Sequence, residues 1–265
     1  MNKTELLDKY ARDGESRLLL ARVLDQQQRA DQRGIPTHTA FLSPAEQAMS
    51  ADLLMAAAPG QGVLHGGYAD AERKLWGFLP DWLDEDLWLA GEDCPLAALE
   101  VRVPKGAKLT HRDYLGSLMG LGITREKIGD ILIGETGAQV IVLRETLPIL
   151  LAQWEKAGRY PVTLTPLPLD QLTPTPGETK EVRATVASVR LDAVVSAGFS
   201  IPRSRAADLI RGGRVMVNYR PCEKADKVVE AGDVLTCRGL GKCVLTEIGG
   251  TSKRGRTILT IQRYL

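Results

Sequence analysis

The stretch Arg190–Asn218, R-L-D-A-V-V-S-A-G-F-S-I-P-R-S-R-A-A-D-L-I-R-G-G-R-V-M-V-N, reads as two short helices, a turn and a strand. Leu191, Val194, Val195 and Phe199 recur at helical spacing and predict one buried face, with Gly198 closing that helix. Ser200-Ile201-Pro202-Arg203 opens a second helix. Its Ala206, Leu209 and Ile210 turn to the core and leave Arg203, Arg205, Asp208 and Arg211 outside. Gly212-Gly213 ends it, and Val215–Asn218 continues as a strand. Downstream, Ala231-Gly232-Asp233 predicts a turn into Val234–Cys237, and Cys243–Ile248 with Thr257–Ile261 completes a small, mostly antiparallel sheet.

Working outward, the charge is uneven. From Lys180 to the end there are 16 Lys/Arg against 8 Asp/Glu, a net of +8, whereas residues 1–179 hold 18 against 25, a net of −7. A whole-chain charge of +1 therefore conceals a basic module joined to an acidic body, and a folded basic module points first to nucleic acid. Guanidinium groups bond phosphates in pairs, and a cluster on one helix face can follow an RNA backbone. The expected RNA-binding residues are Arg190, Arg203, Ser204, Arg205, Asp208, Arg211, Arg214, Asn218, Arg220, Lys242, Lys253, Arg254 and Arg256, the last three in a hairpin loop. Contacts to phosphate position a protein more than they specify a sequence, so recognition should follow RNA shape.

Arg190-Leu191-Asp192, Ser204-Arg205, Leu209-Ile210, Gly213, Val215, Val217-Asn218 and Gly232-Asp233 closely resemble the alpha-L, or S-four, RNA-binding motif. The resemblance implies that the second helix and the loop after it present Arg203, Ser204, Arg205, Arg211 and Arg214 to structured RNA. Upstream, Gly66-Gly67-Tyr68, Leu109–Gly116 and Leu121–Asp130 extend the likeness over most of residues 40–265 to the YlmH family of bacterial and plastid RNA-binding proteins. Its cyanobacterial and plant branch has been labelled "photosystem II S-four domain protein". The family resemblance implies an N-terminal α/β domain, a middle domain similar to an RNA-recognition fold, and the alpha-L module at the C-terminus. It also implies a monomer that binds ribosomal RNA and tRNA on the large ribosomal subunit, in quality control of stalled translation.

The rest of the chain fits a multidomain α+β, mixed α/β protein. A first helix is expected over residues 1 to about 30, with Leu6, Leu7, Tyr10, Leu18, Ala21 and Leu24 on one side. Ser43-Pro44-Ala45-Glu46 is a capping box with proline at the first helical position, so a second helix should run from about 44 to 57. Strands follow within Gly62–Leu79 and at Leu96–Val103. Thr110–Asp113 caps another helix, and Asp130–Ile133, Gln139–Leu143, a helix near Leu147–Ala157 and Val162–Leu164 give the order α-β-β-α-β. Five prolines between Pro161 and Pro176 suggest a stiff linker. The expected domains are 1–103, 104–165 and 188–265, with 166–187 as linker and lead-in. The middle strands carry no aromatic residue for base stacking, leaving His111, Arg112, Arg125 and Lys127 as that domain's candidate RNA contacts.

Other classes are disfavoured. No apolar run approaches the roughly 20 residues that cross a bilayer, and the N-terminus lacks a signal-peptide h-region, so the expected location is the cytoplasm, with no membrane partner. Cys94, Cys222, Cys237 and Cys243 form no C-x-x-C pair and lie far in sequence from His38, His65 and His111, so no metal and no cofactor are expected. His111-Arg112-Asp113 lacks the remainder of a kinase signature. Arg190-Leu191-Asp192 resembles the catalytic stretch of pseudouridine synthases, but those carry the aspartate in a separate catalytic domain, whereas Asp192 lies inside the basic module. The expectation is a non-catalytic RNA-binding protein. The alternatives are an RNA-modifying enzyme, or an assembly or cell-division factor linking RNA to a protein partner.

Overall fold

In the computed structural model, which describes residues 1–175, 177–252 and 255–265, the chain forms two units, Met1–Thr175 and Pro176–Leu265. Unit 1 opens with α1 (Lys3–Tyr10) and α2 (Gly14–Arg33), two helices where sequence periodicity suggested one. The break is chemical. Asp13 caps α2 by accepting from Ser16 N–H at 2.8 Å, and a cap residue cannot also continue the preceding helix. The restart shifts the buried face to Leu20, Val23 and Leu24, and leaves Leu18 55% exposed. β1 (Thr37–His38) follows, then α3 (Pro44–Ala57), whose capping box is formed as expected. β2 (Val63–His65) and β3 (Leu75–Phe78) join β1 in a three-stranded sheet of order β1-β3-β2, and α4 (Glu85–Ala90) lays Trp88 across it. A Cβ on Gly77 of β3 would lie 2.4 Å from the Trp88 ring, so that contact requires glycine.

The second half of unit 1 runs β4 (Leu96–Arg102), α5 (His111–Gly120), β5 (Ile128–Gly134), β6 (Gly137–Leu143), α6 (Leu147–Gln153), a hairpin of β7 (Lys156–Ala157) and β8 (Tyr160–Pro161), and β9 (Thr163–Leu167). The four-stranded antiparallel sheet has order β5-β6-β4-β9. Without the small hairpin this is a β-α-β-β-α-β, ferredoxin-like arrangement. Leu96–Arg102 lay in the first domain of the sequence division at 103. It pairs instead with β6 and β9 as an inner strand of this sheet. The prolines after 161 do not make a free linker either. Pro166 sits opposite Leu99 on edge strand β9, where a missing N–H is tolerated, and Leu169 and Leu172 pack back on the unit.

Strand alternation gives this sheet two apolar faces. Leu99, Val101, Val140 and Val142 pack with Tyr114 and Leu118 of α5 and Leu150 of α6. Leu96, Ile141 and Leu143 pack with Phe41, Leu75 and Trp88. Each aliphatic side chain so buried contributes about 1.5–3 kcal/mol. A polar latch reinforces the second contact. Asp130 accepts from Tyr68 Oη at 2.8 Å, Glu72 N–H at 2.7 Å and Arg73 N–H at 3.0 Å. Arg73 donates to the carbonyls of Ile128, Phe41 and Arg125. Burial, then the neighbouring Arg73 guanidinium, pushes the Arg125 pKa down to about 10.

Unit 2 contains β10 (Thr179–Val186), α7 (Leu191–Phe199), α8 (Arg203–Arg211), β11 (Val215–Val217), β12 (Arg220–Pro221), β13 (Val234–Cys237), β14 (Gly241–Thr251) and β15 (Thr257–Tyr264). The sheet order is β10-β15-β14-β13-β11-β12. Residues 179–186, read from sequence as linker and lead-in, form an edge strand along the whole of β15. Its inward residues Val182 and Val186 pack on the core, while Lys180, Glu181 and Arg183 around them mask the alternation. Gly198 does not close α7, which continues to Phe199 and ends on Ser200 at φ 56°. Gly198 serves packing, because a Cβ there would lie 2.8 Å from Cys243 Sγ.

Two outcomes test this architecture. Asp130→Ala removes the acceptor of three hydrogen bonds and should cost about 2–4 kcal/mol in urea unfolding of unit 1. Cys94, Cys237 and Cys243 are buried, and burial pushes the Cys243 thiol up to about 12. At pH 8 a disulfide reagent should therefore titrate Cys222 alone in the native protein and all four thiols after unfolding.

Candidate RNA interface

The site grows from the α7–α8 corner. Arg190 is the N-cap of α7, and the first free amides of that helix are taken by a loop: Leu191 N–H donates to Lys227 O at 2.8 Å and Asp192 N–H to Ala225 O at 3.0 Å. Asp192 is only 7% exposed. Its carboxylate receives Arg203 Nε and Nη2, each at 3.0 Å, and Arg190 Nε stands 3.4 Å away. The hydrogen bonds from Arg203, then the charge of Asp192, raise the Arg203 pKa above its ordinary value. Both arginines are thus tied to the fold on one side. Arg203, expected as a free phosphate ligand, is first the clamp between the starts of α7 and α8.

Asn218 is also turned inward. With Tyr219 it takes positive φ (50° and 61°) in the two-residue turn between β11 and β12, the geometry that matches strand twist. Its Nδ2 donates to Asp233 Oδ1 at 2.7 Å and its Oδ1 accepts from Val234 N–H at 2.9 Å, so its amide is used by the turn before β13. Lys242 lies over the Tyr264 ring at 4.2 Å, and Arg220 reaches back to Asn218 O at 3.4 Å. Arg256 is exposed in the β14–β15 turn; Lys253 and Arg254 lie outside the described residues.

Besides the half-exposed Arg203, α8 exposes Ser204, Arg205, Asp208 and Arg211, with Arg211 paired to Asp208 at 3.4 Å. No side chain caps the first turn of α8, which begins after Pro202. Beyond the helix, Gly213 at φ 65° turns the chain and presents Arg214. Arg214 N–H donates back to Leu209 O of α8 at 3.0 Å, while at the β11–β13 end Arg238 N–H donates to Arg214 O at 2.9 Å and Arg214 Nη2 donates to Arg238 O at 3.1 Å. Burial raises the Cys237 thiol, and the charges of Arg214 and Arg205 pull it the other way. Arg205, Arg214 and Arg238 are exposed, and none has a carboxylate ion-pair partner among the described residues.

Arg238 was missed in the sequence. It stands alone in a β-turn, and only the β11–β13 pairing brings it to Arg214. In the middle domain, Arg125 donates inward to Ile128 O and Lys127 pairs with Glu145, whereas Arg112 is exposed without an ion pair among the described residues. A groove of about 780 Å³ in unit 1 includes His65 and Arg144. His65 accepts from Gly67 N–H, burial lowers its pKa, and Arg144 holds Cys94 O at 2.7 Å. No described helix is long and apolar enough to cross a membrane.

This helix–turn–strand surface defines an S4-type RNA-binding protein, and the S4 domain model matches residues 189–235. Residues 90–171 match the family described as "Putative RNA-binding domain in YlmH", and residues 15–77 match "YlmH, N-terminal". The "Ribosome-associated protein quality control protein P2" of Bacillus subtilis (strain 168) is 36% identical over 231 residues, covering 85% of this chain and 86% of that protein. The solved "Cell division protein ylmH from Streptococcus pneumoniae" is 24% identical, with a TM-score of 0.49 over 60% of this chain and 94% of that one. The chain belongs to the YlmH family.

The clamp is directly testable. Arg203→Met should lower the unfolding free energy of unit 2 by about 1–2 kcal/mol, because Asp192 keeps its burial and loses its bidentate partner, while Arg203 itself is half in water. In the Asp192→Asn background the same change should cost much less, as a double-mutant cycle by chemical denaturation would read.

Proposed function

We propose that the protein is a non-catalytic RNA-binding factor that engages ribosomal RNA and tRNA on the large ribosomal subunit when translation has stalled. The observation that carries this reading is a set of exposed arginines without carboxylate partners among the described residues, Arg205 on α8 and Arg214, which bonds the carbonyl of Arg238, in the turn after it. Such a surface docks on phosphates by charge and on helical RNA by shape. The ribosome and the quality-control setting follow the name of the Bacillus subtilis relative, and the large subunit and tRNA follow what the family resemblance implies. The role of Asp192 supports binding over chemistry. Held between Arg190 and Arg203 at the base of α7, it serves a salt bridge and offers no open carboxylate to a substrate base. In this mechanism unit 2 grips an RNA backbone and stabilises one tRNA position without breaking a bond.

Sedimentation with purified large subunits tests it. The wild-type chain should pellet with them, and Arg205→Glu/Arg211→Glu/Arg214→Glu should weaken that association at least ~10-fold, with a shallower dependence on salt. Arg203 is left intact so that loss of binding is not loss of fold. Unchanged association of the triple variant would refute the surface. A ribosomal RNA modification missing from a deletion strain would refute the non-catalytic reading.

A further inference from the structure

Apolar layers pack on both faces of the four-stranded sheet of unit 1, and what stays exposed on it, such as Arg102, Thr163 and Thr165, includes no aromatic residue for base stacking. Unit 1 nevertheless carries a concentrated positive surface at one end of that sheet. The loop between β4 and α5 exposes Lys105 and Lys108, the first turn of α5 exposes Arg112, and the β7–β8 hairpin exposes Lys156 and Arg159. These segments are neighbours. A Cβ built on the hairpin tip, Gly158, would lie 3.2 Å from Leu109 Cδ2 and 3.7 Å from Asp113 Oδ1. Trp154, just before the hairpin, donates from Nε1 to Ser117 Oγ of α5 and to Lys156 O, each at 3.0 Å.

None of the five cations has an ion-pair partner among the described residues. Two acids lie beside them: Asp113 is engaged by Thr110 N–H at 2.7 Å and Thr110 Oγ1 at 2.8 Å, in the cap of α5, and Glu155 is exposed next to Lys156. Arg159 lies 5.0 Å over the Tyr160 ring and bonds its hydroxyl at 2.9 Å, which fixes a guanidinium plane at the hairpin. Residues 1–179 are net negative, so five unpaired cations together run against the charge of their own unit. The exposed residues between them, such as Pro104, Gly106, Thr110 and Gly158, are small or polar and give no apolar centre for a protein interface.

We propose that Lys105, Lys108, Arg112, Lys156 and Arg159 form a second RNA-backbone contact, through which the middle domain binds folded RNA by its loop end and not by its sheet. This rests on the reading of the protein as an RNA binder. It differs from that reading in placing a separate phosphate surface on unit 1.

The test is filter binding of the full-length protein to unfractionated bacterial tRNA across a salt series. Lys105→Glu/Arg112→Glu/Arg159→Glu should raise Kd at least ~10-fold and reduce the salt slope by about 2–3, one released counterion for each lost contact. If that variant loses its cooperative thermal transition, Lys105→Gln/Arg112→Gln/Arg159→Gln decides by the same two readouts. Wild-type Kd and slope in the patch variant, alongside lost affinity in Arg205→Glu/Arg211→Glu/Arg214→Glu, would overturn the patch and leave the S4 surface standing. Lost affinity for large subunits with unchanged affinity for both tRNA and protein-free ribosomal RNA would overturn it too, assigning the patch to a ribosomal protein. A wild-type chain that retains no RNA overturns the parent reading and this one with it.

Discussion

A β-sheet that is apolar on both faces must be covered twice, and most of unit 1 follows from that requirement. Leu99, Val101, Val140 and Val142 demand the helices α5 and α6. Leu96, Ile141 and Leu143 demand a second layer, which Phe41, Leu75 and Trp88 provide. Burial of these side chains outweighs any single hydrogen bond between the layers, since a typical net hydrogen bond contributes only about 0.5–1.5 kcal/mol. The Asp130 latch therefore orients a contact that the apolar faces drive. The RNA contact proposed for this domain accordingly lies on its loops and helix ends.

In unit 2 the corresponding constraint is electrostatic. Asp192 is nearly buried, and a carboxylate so placed needs partners. Arg203 supplies a bidentate one and Arg190 a looser one, which fixes the start of α8 relative to α7. With that geometry set, the outward side chains of α8 and of the turn after it are delivered to one surface. A strongly basic module thus divides its arginines between holding the fold and facing solvent, and the two groups cannot be told apart by composition.

How much was legible depended on whether the signal was local. The capping box at Ser43–Glu46 and the helical spacing of Leu191, Val194 and Val195 were read correctly because each lies within a few residues of its partners. Leu96–Arg102 was given to the wrong side of a boundary because its β6 and β9 partners lie some 40 to 70 positions away in the chain. Strand β10 was hidden by the prolines before it and by charged residues on its outer face. Among the expected site residues, Asn218 and Arg203 have the right chemistry for RNA but are recruited by Asp233 and Asp192. Arg238, without a motif around it, joins the surface through strand pairing.

The sequence by itself determined that a basic module of two helices and a small sheet follows an acidic body, and which family motifs it carries. Those properties reside in charge, periodicity and short-range caps, all of which survive in one dimension. Tertiary structure decided which arginines are available and which face of the middle domain is closed. Availability depends on whether a carboxylate or a carbonyl from a distant segment has arrived first, and only the folded chain brings those segments together.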